Sequence, residues 1–266
     1  MFTQVASDNM QIHDFFPSAS LVPFVQAYKI IESNTELINR VLPATSIVMA
    51  FRYKGQVNYL QEGHTYPLPA AVITGLRKSV RLINYHTDSA TLLVLFTETG
   101  ASAFFRQPMH ELFGESISVE HFVDKNSLST IITQLSEASR NPQRIAIVER
   151  FLNNQIITPR PDLLVAEAIN KIQNANGLIK IRELADSLFL SQDAFEKRFR
   201  KITGATPKQF ASIVRMNALI HSKQTNQSLF DVAFDGNYYD QPHFHKHFKL
   251  FTGQTPAEFF KAPSFW

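Results

Sequence analysis

Short apolar or alternating runs follow one another through residues 41–96, and turn residues close each of them. The runs cover 46–53, 56–60, 70–76, 80–85 and 91–96. Apolar or alternating runs of this length, bounded by turns, are typical of strands. The pattern therefore predicts an antiparallel sandwich or small barrel. Residues 127–138 and 143–155 instead repeat apolar side chains at helical spacing, which predicts two trailing helices.

Residues 157–162, ITPRPD, hold two prolines in six positions and form the best linker in the chain. Everything after them has the pattern of helix and turn. We therefore expect an α+β protein. Its N-terminal domain, 1–157, would be an antiparallel β barrel or sandwich with trailing helices, and its C-terminal domain, 158–266, would be all helical.

One twelve-residue pattern occurs twice in the C-terminal part, as FRKITGATPKQF at 199–210 and as FKLFTGQTPAEF at 248–259. Its phenylalanines extend an apolar stripe at helical spacing. The Thr-Gly step predicts a helix end, because glycine readily adopts the left-handed conformation found there. The Thr-Pro step predicts a capped helix start. Each copy therefore encodes a helix, a tight stop, a capped start and another helix.

Each copy is preceded by an amphipathic helix, a short turn and a polar residue that can cap the next helix, Ser191 or Asp240. Two helices joined in this way form the unit whose second helix enters the major groove of DNA. The sequence predicts such units at about 179–203 and 228–252. A linker helix at about 207–224, roughly 27 Å long, would suitably space two groove-reading helices about 34 Å apart.

Residues 163–262 resemble the DNA-binding domain of AraC-type transcription regulators. The stretches ELADSLFLSQDAFEKRFRKITGATPKQF and DVAFDGNYYDQPHFHKHFKLFTGQTPAEF carry the match. The resemblance implies a double helix-turn-helix domain, sequence-specific DNA binding and regulation of transcription, with activation favoured over repression. It implies double-stranded DNA as a partner, and RNA polymerase as a further partner of an activator.

Residues 10–155 resemble the poorly characterised jelly-roll-like sensor domain of some members of that family. Such sensors often carry a Leu-Pro-Asp-Gly stretch that leads into a strand. In this chain residues 42–45 are Leu-Pro-Ala-Thr. The carboxylate of the family pattern is therefore replaced by Ala44.

Helix geometry and the family pattern together predict the DNA-facing residues. Phe195 and Phe199 mark the buried side of the first recognition helix, and Phe244 and Phe248 that of the second. The outward residues are Gln192, Asp193, Glu196, Lys197 and Arg200 in the first helix, and Gln241, Pro242, His245, Lys246 and Lys249 in the second, with His243 nearby.

Base contacts are expected from Lys197 to guanine, from Gln192 to adenine and from Glu196 to cytosine. The family pattern places Asp193, Glu196 and Lys197 toward the groove. Asp193 and Glu196 can equally be acids that favour a helix start, and both would repel phosphates.

In the second helix, Lys246 is the best candidate for a base contact. Arg200 and Lys249 are expected at phosphates. Of Tyr238 and Tyr239, one is expected in the core, while the other could donate to a phosphate.

The run HFHKH at 243–247 alternates three histidines. Steps of two residues point in nearly opposite directions on a helix, so these side chains should not converge on one metal ion. We expect no metal and no cofactor.

The N-terminal part shows no catalytic motif, since His-x-His pairs, phosphate loops and nucleophile elbows are all absent from its sequence. A ligand cavity or a dimerisation surface is the favoured interpretation. Seven residues could line such a cavity or could equally be packing and a solvated edge: Phe51, Tyr53, Tyr59, Tyr85, Arg77, Lys78 and Arg81. The alternative is an enzyme or carrier barrel fused to a DNA-binding module.

Composition changes this picture little. Residues 1–161 hold 13 basic and 13 acidic side chains and residues 162–266 hold 13 and 10, a mildly basic C-terminal part. The chain has no cysteine, which excludes disulfides and thiol catalysis. The sequence shows neither a signal peptide nor a membrane-spanning run, so we expect a cytoplasmic protein. Because it shows no catalytic motif, we expect that the protein is not an enzyme. The sequence does not identify the small-molecule effector. It is compatible with a monomer and with a homodimer.

Overall fold

The structure is a computed structural model that describes residues 10–157, 160–222, 236, 238 and 240–261. Its N-terminal part contains ten strands in the described residues. They are β1 (Met10–Phe15), β2 (Val25–Ser33), β3 (Leu37–Val41), β4 (Val48–Lys54), β5 (Val57–Gln61), β6 (His64–Pro67), β7 (Ala71–Thr74), β8 (Arg81–Tyr85), β9 (Ser89–Phe96) and β10 (Ser116–Ser118).

The strands form two antiparallel sheets. One has the order β1-β2-β9-β4-β7-β10 and the other has the order β3-β8-β5-β6. The five predicted runs correspond to β4, β5, β7, β8 and β9. The antiparallel sandwich and the α+β fold class are thereby confirmed.

The six-stranded sheet is covered on both faces. Two helices, α1 (Lys125–Glu137) and α2 (Asn141–Gln155), follow the strands as predicted. They pack on one face of this sheet, where the ring centroids of Phe51 and Phe151 lie 6.0 Å apart in an edge-to-face arrangement. Strand β9 shows the two sides: Leu92 and Val94 are fully buried, whereas Leu93 and Leu95 line a cavity that the four-stranded sheet shares. Alternation along β9 thus divides a helix-facing core from an inter-sheet space.

The C-terminal part is helical in the described residues. Its helices are α3 (Leu163–Asn174), α4 (Ile181–Ser187), α5 (Gln192–Thr203), α6 (Pro207–Ser222), α7 (Gln241–Thr252) and α8 (Pro256–Phe259). The predicted linker helix is α6, and the first predicted helix-turn-helix is α4 with α5. The first helix predicted for the second unit, within 228–235, lies outside the described residues. None of the described helices has the length and hydropathy needed to cross a membrane.

Three 3-10 helices, Gly100–Ala103, Met109–Leu112 and Val119–His121, connect the sheets to the helices. The first two contact α5. One continuous cluster of buried apolar side chains includes Phe96 in β9, Met109, and Phe199 and Phe248 in α5 and α7. The hydrophobic core therefore runs through both parts of the chain.

Candidate nucleic-acid interface

Helices α4 and α5 form the first helix-turn-helix, and local chemistry sets the limits of α5. The Ser191 hydroxyl accepts a hydrogen bond from the backbone N–H of Ala194 at 3.3 Å. At the other end Gly204 adopts φ +89°, and a Cβ there would lie 3.0 Å from the carbonyl oxygen of Met109. Both the predicted cap and the predicted stop are confirmed, and the close approach gives glycine a second reason to occupy position 204.

The side of α5 opposite its buried phenylalanines faces solvent. Phe195 and Phe199 are fully buried. Of the residues predicted to face DNA, Glu196 is half-buried and the others are exposed, namely Gln192, Asp193, Lys197 and Arg200. The predicted outward face is therefore open to a ligand, while its contacts with DNA remain a prediction.

On α5 the predicted donors are engaged by acceptors of the same helix. Lys197 Nζ lies 3.0 Å from Asp193 Oδ2, and Gln192 Nε2 donates to Glu196 Oε1 at 2.9 Å. Exposed pairs of this kind stabilise a helix by about 0.2–1 kcal/mol. The cost of releasing Lys197 to DNA is therefore small, but Asp193 and Glu196 stay on the same face.

Helix α7 repeats the start and stop of α5. The Asp240 carboxylate accepts from the backbone N–H of His243 at 2.8 Å, and Gly253 adopts φ +77°. Phe244 and Phe248 are fully buried. All six predicted outward residues are exposed: Gln241, Pro242, His243, His245, Lys246 and Lys249.

The exposed face of α7 differs from that of α5 in charge. Its sequence, QPHFHKHFKLFT, contains two lysines and no acid. Within the part of the chain that the structure describes, Lys246 has no carboxylate in ion-pair distance. The face is therefore cationic and suits a polyanion.

The repeated threonines build the same turn twice. After α5, Thr206 Oγ1 accepts from the Gln209 N–H at 3.2 Å while the Gln209 side chain accepts from the Thr206 N–H at 2.9 Å. After α7, Thr255 and Glu258 exchange the same bonds at 3.3 and 2.8 Å. Reciprocal bonds of this kind form a capping box. The predicted capped starts are confirmed.

The threonine before each glycine has a role that sequence reasoning missed. Thr203 is fully buried, donates to the Phe199 carbonyl at 3.0 Å and accepts from the Ala205 N–H at 3.3 Å. Thr252 repeats this after α7, with a bond of 2.9 Å to the Phe248 carbonyl. This threonine occupies the same position in both copies of the repeat, and that repetition could have revealed its role.

A polar cluster holds α7 against α6. The Tyr238 hydroxyl lies 2.5 Å from His247 Nδ1, and the Ser212 hydroxyl lies 3.3 Å from His247 Nε2. The guanidinium of Arg215 stacks over the Tyr238 ring at 4.6 Å. Burial, and then the charges of Arg215 and His243, lower the pKa of His247 to about 4. His247 is therefore neutral at physiological pH and serves as a packing residue.

Two further predictions concern side chains near this cluster. Tyr238 is buried, so it is the core tyrosine of the predicted pair, and Tyr239 lies outside the described residues. His243 and His245 are exposed whereas His247 points inward, as expected of a helix. Across the described ranges, no group of three histidine or acidic side chains could hold a metal ion.

Four hydrogen bonds join the segment 40–43, at the end of β3, to residues far along the chain. Arg40 Nη1 donates to the Thr252 carbonyl, at the end of α7, at 2.7 Å. Asn217 in α6 donates to the Pro43 carbonyl at 3.1 Å. Arg77 Nη2 donates to the carbonyls of residues 41 and 42 at 2.9 and 3.0 Å. The segment 40–43 thus contacts the sandwich and the helices α6 and α7.

The residues predicted to line a cavity lie in three different places. Tyr85, Arg77 and Arg81 line the space between the two sheets. Tyr59 and Lys78 line a neighbouring surface groove that also includes both arginines. Phe51 and Tyr53 lie on the other face of β4, against α2.

Two domain families match the sequence. The helix-turn-helix domain family matches residues 184–262, and the domain of unknown function DUF6597 matches residues 13–118. No curated protein matches the chain.

Comparison with solved structures finds several matches of low sequence identity. ToxT from Vibrio cholerae is 9% identical with a TM-score of 0.46, over 96% of this chain and 98% of that chain. ToxT from Vibrio cholerae strain SCE256 with bound unsaturated fatty acid is 11% identical with a TM-score of 0.43, over 99% and 98%. The Cupin_2 domain of an XRE family regulator from Enterobacter cloacae is 12% identical with a TM-score of 0.27, over 34% and 98%. These likenesses assign no residue a role.

Proposed function

We propose that this protein, a DNA-binding transcription regulator with an AraC-type helix-turn-helix domain, recognises specific DNA sequences through the exposed faces of α5 and α7. We further propose that the N-terminal part controls this binding and that the protein activates transcription. The proposed parts are a sensor at 1–157 and a DNA-binding domain at 158–266.

The observation that carries the proposal is the pair of capped helices with exposed polar faces. Both are fixed at the N-terminus by a side-chain cap and at the C-terminus by a left-handed glycine. The intervening α6 has 16 residues and a length of about 24 Å. A rod of this order is compatible with two helices in successive major grooves, which lie about 34 Å apart.

Lys246 and Lys249 are assigned different roles on α7. Lys246 would donate to a base edge, where a good contact contributes about 1–3 kcal/mol of discrimination. Lys249 would meet a phosphate, which supports binding to every sequence alike. Arg200 has the corresponding phosphate role on α5, and Lys197 and Gln192 the corresponding base contacts.

The test is a titration of DNA duplexes, with a site first selected from random sequences by the wild-type protein. Lys246→Ala should weaken binding to that site by about 1–3 kcal/mol and relax one base position. Lys249→Ala should weaken binding to all duplexes and reduce the salt slope by about 1. Lys125→Ala, an exposed lysine of α1, is the control. Wild-type curves for Lys246→Ala on both selected and scrambled DNA would refute the groove assignment.

Control by the N-terminal part is supported by the bonds of the segment 40–43 with α6 and α7. The double variant Arg40→Ala, Asn217→Ala removes both bonds and should change the affinity of the full chain for the selected site. An unchanged affinity would contradict control through this segment. The sign of regulation is tested with a reporter gene behind the selected site: the wild-type protein should raise its expression, and a fall would indicate repression.

A further inference from the structure

A surface groove of about 540 Å³ lies where the first helix-turn-helix, α6, α7 and the N-terminal part meet. Its walls come from the loop before α4 (177 and 179), from Ile181, from the first half of α6 (208–215), from the second half of α7 (247–251), and from Lys78 in the N-terminal part. We call it the α6–α7 groove. It differs from the surface groove beside the sandwich, although Lys78 lines both.

The charged side chains of the α6–α7 groove are all basic. Lys78, Lys208 and Arg215 line it, and no aspartate or glutamate of the described residues does. None of the three forms an ion pair within the described ranges. His247 also lines the groove, but burial, and then the charges of Arg215 and His243, lower its pKa to about 4. The groove therefore carries three positive charges.

The two lysines are accessible, whereas Arg215 lies deeper. Lys78 and Lys208 are exposed and Arg215 is half-buried, with its guanidinium 4.6 Å from the centroid of the Tyr238 ring. Lys78 Nζ lies 6.0 Å from the centroid of the Phe113 ring, at the outer limit of a cation–π contact. The lysines can therefore reach a ligand outside the protein, while Arg215 adds its charge from below.

The segment 75–80, which joins β7 to β8 and contains Lys78, is held against the end of α7. A Cβ at Gly253 would lie 3.0 Å from Val80 Cγ1, so the segment and the helix end approach closely. Arg77, the residue before Lys78, donates to the carbonyls of residues 41 and 42. Contacts on both sides thus place Lys78 beside the helices of the C-terminal part.

The α6–α7 groove is continuous with the predicted DNA-facing side of α7. Lys246, the predicted base contact, lies one turn before Leu250, so the two side chains share one side of the helix. Leu250 is 50% exposed and lines the groove. A duplex that places a base edge at Lys246 therefore brings its backbone toward the groove.

Both helix-turn-helix units border the groove. Ile181 begins α4 of the first unit, α7 belongs to the second, and α6 connects them. On a duplex read in two successive major grooves, a minor groove and the phosphates on either side of it lie between the two reading helices. The α6–α7 groove lies between the same two units.

We propose that the α6–α7 groove binds the DNA backbone between the two contacted major grooves, and that Lys78 of the N-terminal part is one of its phosphate contacts. The proposal rests on the proposed function, since it requires α5 and α7 to enter major grooves. Lys208 supplies a second phosphate contact from α6, and Arg215 raises the local positive potential. The N-terminal part is then itself a part of the DNA-binding surface.

A polyanion fits this groove better than a small organic anion does. The lysines project into solvent, where a single ion pair contributes only about 0.2–1 kcal/mol. Phosphate contacts along a duplex instead act together, and each releases condensed counter-ions. The arrangement therefore suits a charged strand that is already held nearby by α7.

The first experiment is site-directed photo-crosslinking of the full-length protein. The chain has no cysteine, so each substitution introduces a single attachment point for an aryl azide. Lys78→Cys and Lys208→Cys should crosslink to the selected duplex between the two contacted major grooves. His245→Cys, on the outward side of α7, should crosslink within a contacted major groove. Lys125→Cys, on α1, should not crosslink.

The second experiment measures affinity for the selected duplex at several salt concentrations. Lys78→Ala should weaken binding about two- to fivefold and reduce the salt slope by about 1. The double variant Lys78→Ala, Lys208→Ala should reduce the slope by about 2. Lys78→Arg keeps the charge and should retain the wild-type slope, and Lys125→Ala should do the same because its lysine lies on α1.

Two results would overturn the proposal alone: His245→Cys crosslinks to the duplex while Lys78→Cys does not, or Lys78→Ala changes the salt slope no more than Lys125→Ala does. Loss of every crosslink, that of His245→Cys included, would overturn the proposed function together with this proposal. Circular dichroism of each labelled protein shows that the variant is folded.

Discussion

The two helices predicted to face DNA share their ends and differ in their faces. Helices α5 and α7 both begin at a side-chain cap, both end at a left-handed glycine, and both are followed by a capping box. On α5 the donors Lys197 and Gln192 are engaged by Asp193 and Glu196. On α7 the face has lysines and histidines and no acid.

This difference shows which residues of the repeat are constrained by folding. Caps, glycines and buried phenylalanines fix the backbone and recur at the same places. Outward residues contribute little to the stability of the fold and can diverge, so we expect the two helices to read different base pairs. We expect α7 to supply most of the electrostatic affinity and α5 to supply selectivity, because acids near phosphates penalise poorly matched DNA.

The two helices also differ in how they meet the N-terminal part. The base of α5 packs on the 3-10 helix Met109–Leu112, where Met109 is 1% exposed. The end of α7 is held by the hydrogen bond from Arg40 to the Thr252 carbonyl. Apolar burial stabilises the first attachment, and a charged donor contributes to the second.

The largest effect is expected at the apolar attachment. Met109→Ala should lower the free energy of unfolding by about 2–5 kcal/mol, through lost burial and the cavity left beneath α5. Urea denaturation followed by circular dichroism measures it. Phe189→Ala, at a side chain that is 96% exposed, should stay within about 0.5 kcal/mol of wild type. Equal effects of the two variants would show that α5 does not depend on this contact.

A smaller effect is expected from the acids of α5. The double variant Asp193→Asn, Glu196→Gln frees Lys197 and removes two charges that repel phosphates. Affinity for unselected duplexes should rise about two- to fivefold, and the salt slope should steepen by about 1. The double variant Glu120→Gln, Glu167→Gln changes net charge equally at two exposed positions elsewhere. A matching rise in that control would assign the effect to net charge and not to the face of α5.

The smallest effect concerns His247 and the attachment of α7 to α6. Its folded pKa of about 4 lies below the ordinary 6.5, so the unfolded chain takes up the proton first as the pH falls. Stability is therefore unaffected above about pH 6.5 and decreases from there toward pH 4. Between pH 7 and pH 5, the melting temperature of the wild type should fall further than that of His247→Gln. Identical falls would mean that the cluster with Tyr238 and Arg215 does not sense pH.

The C-terminal part was predictable from sequence because its signals are local. Caps, glycine stops and phenylalanine stripes each act over three to seven residues, and the repeat presented them twice. The N-terminal strands were less predictable from sequence. The pattern did not single out β1, an edge strand with only Met10 buried, or the strands β2 and β3 that follow it.

The cavity was only partly predictable. Arg77, Arg81 and Tyr85 were among its expected residues, but Phe51 and Tyr53 were considered with them and belong to the helix-facing side. A sheet covered on both faces lacks a polar side, so alternation along β4 does not tell which neighbour lies where. The bond from Arg40 to Thr252 joins residues 212 positions apart, and no pattern along the chain predicts it.

The cluster of buried side chains that joins β9, Met109, α5 and α7 gives the molecule one shared interior. Heat should therefore melt sandwich and helices in a single cooperative transition, as expected when one core is shared. Any molecule that binds and stabilises the sandwich would then also raise the melting temperature of the distant helices. The sandwich and the helices are thus energetically linked by packing alone, even without a change of shape.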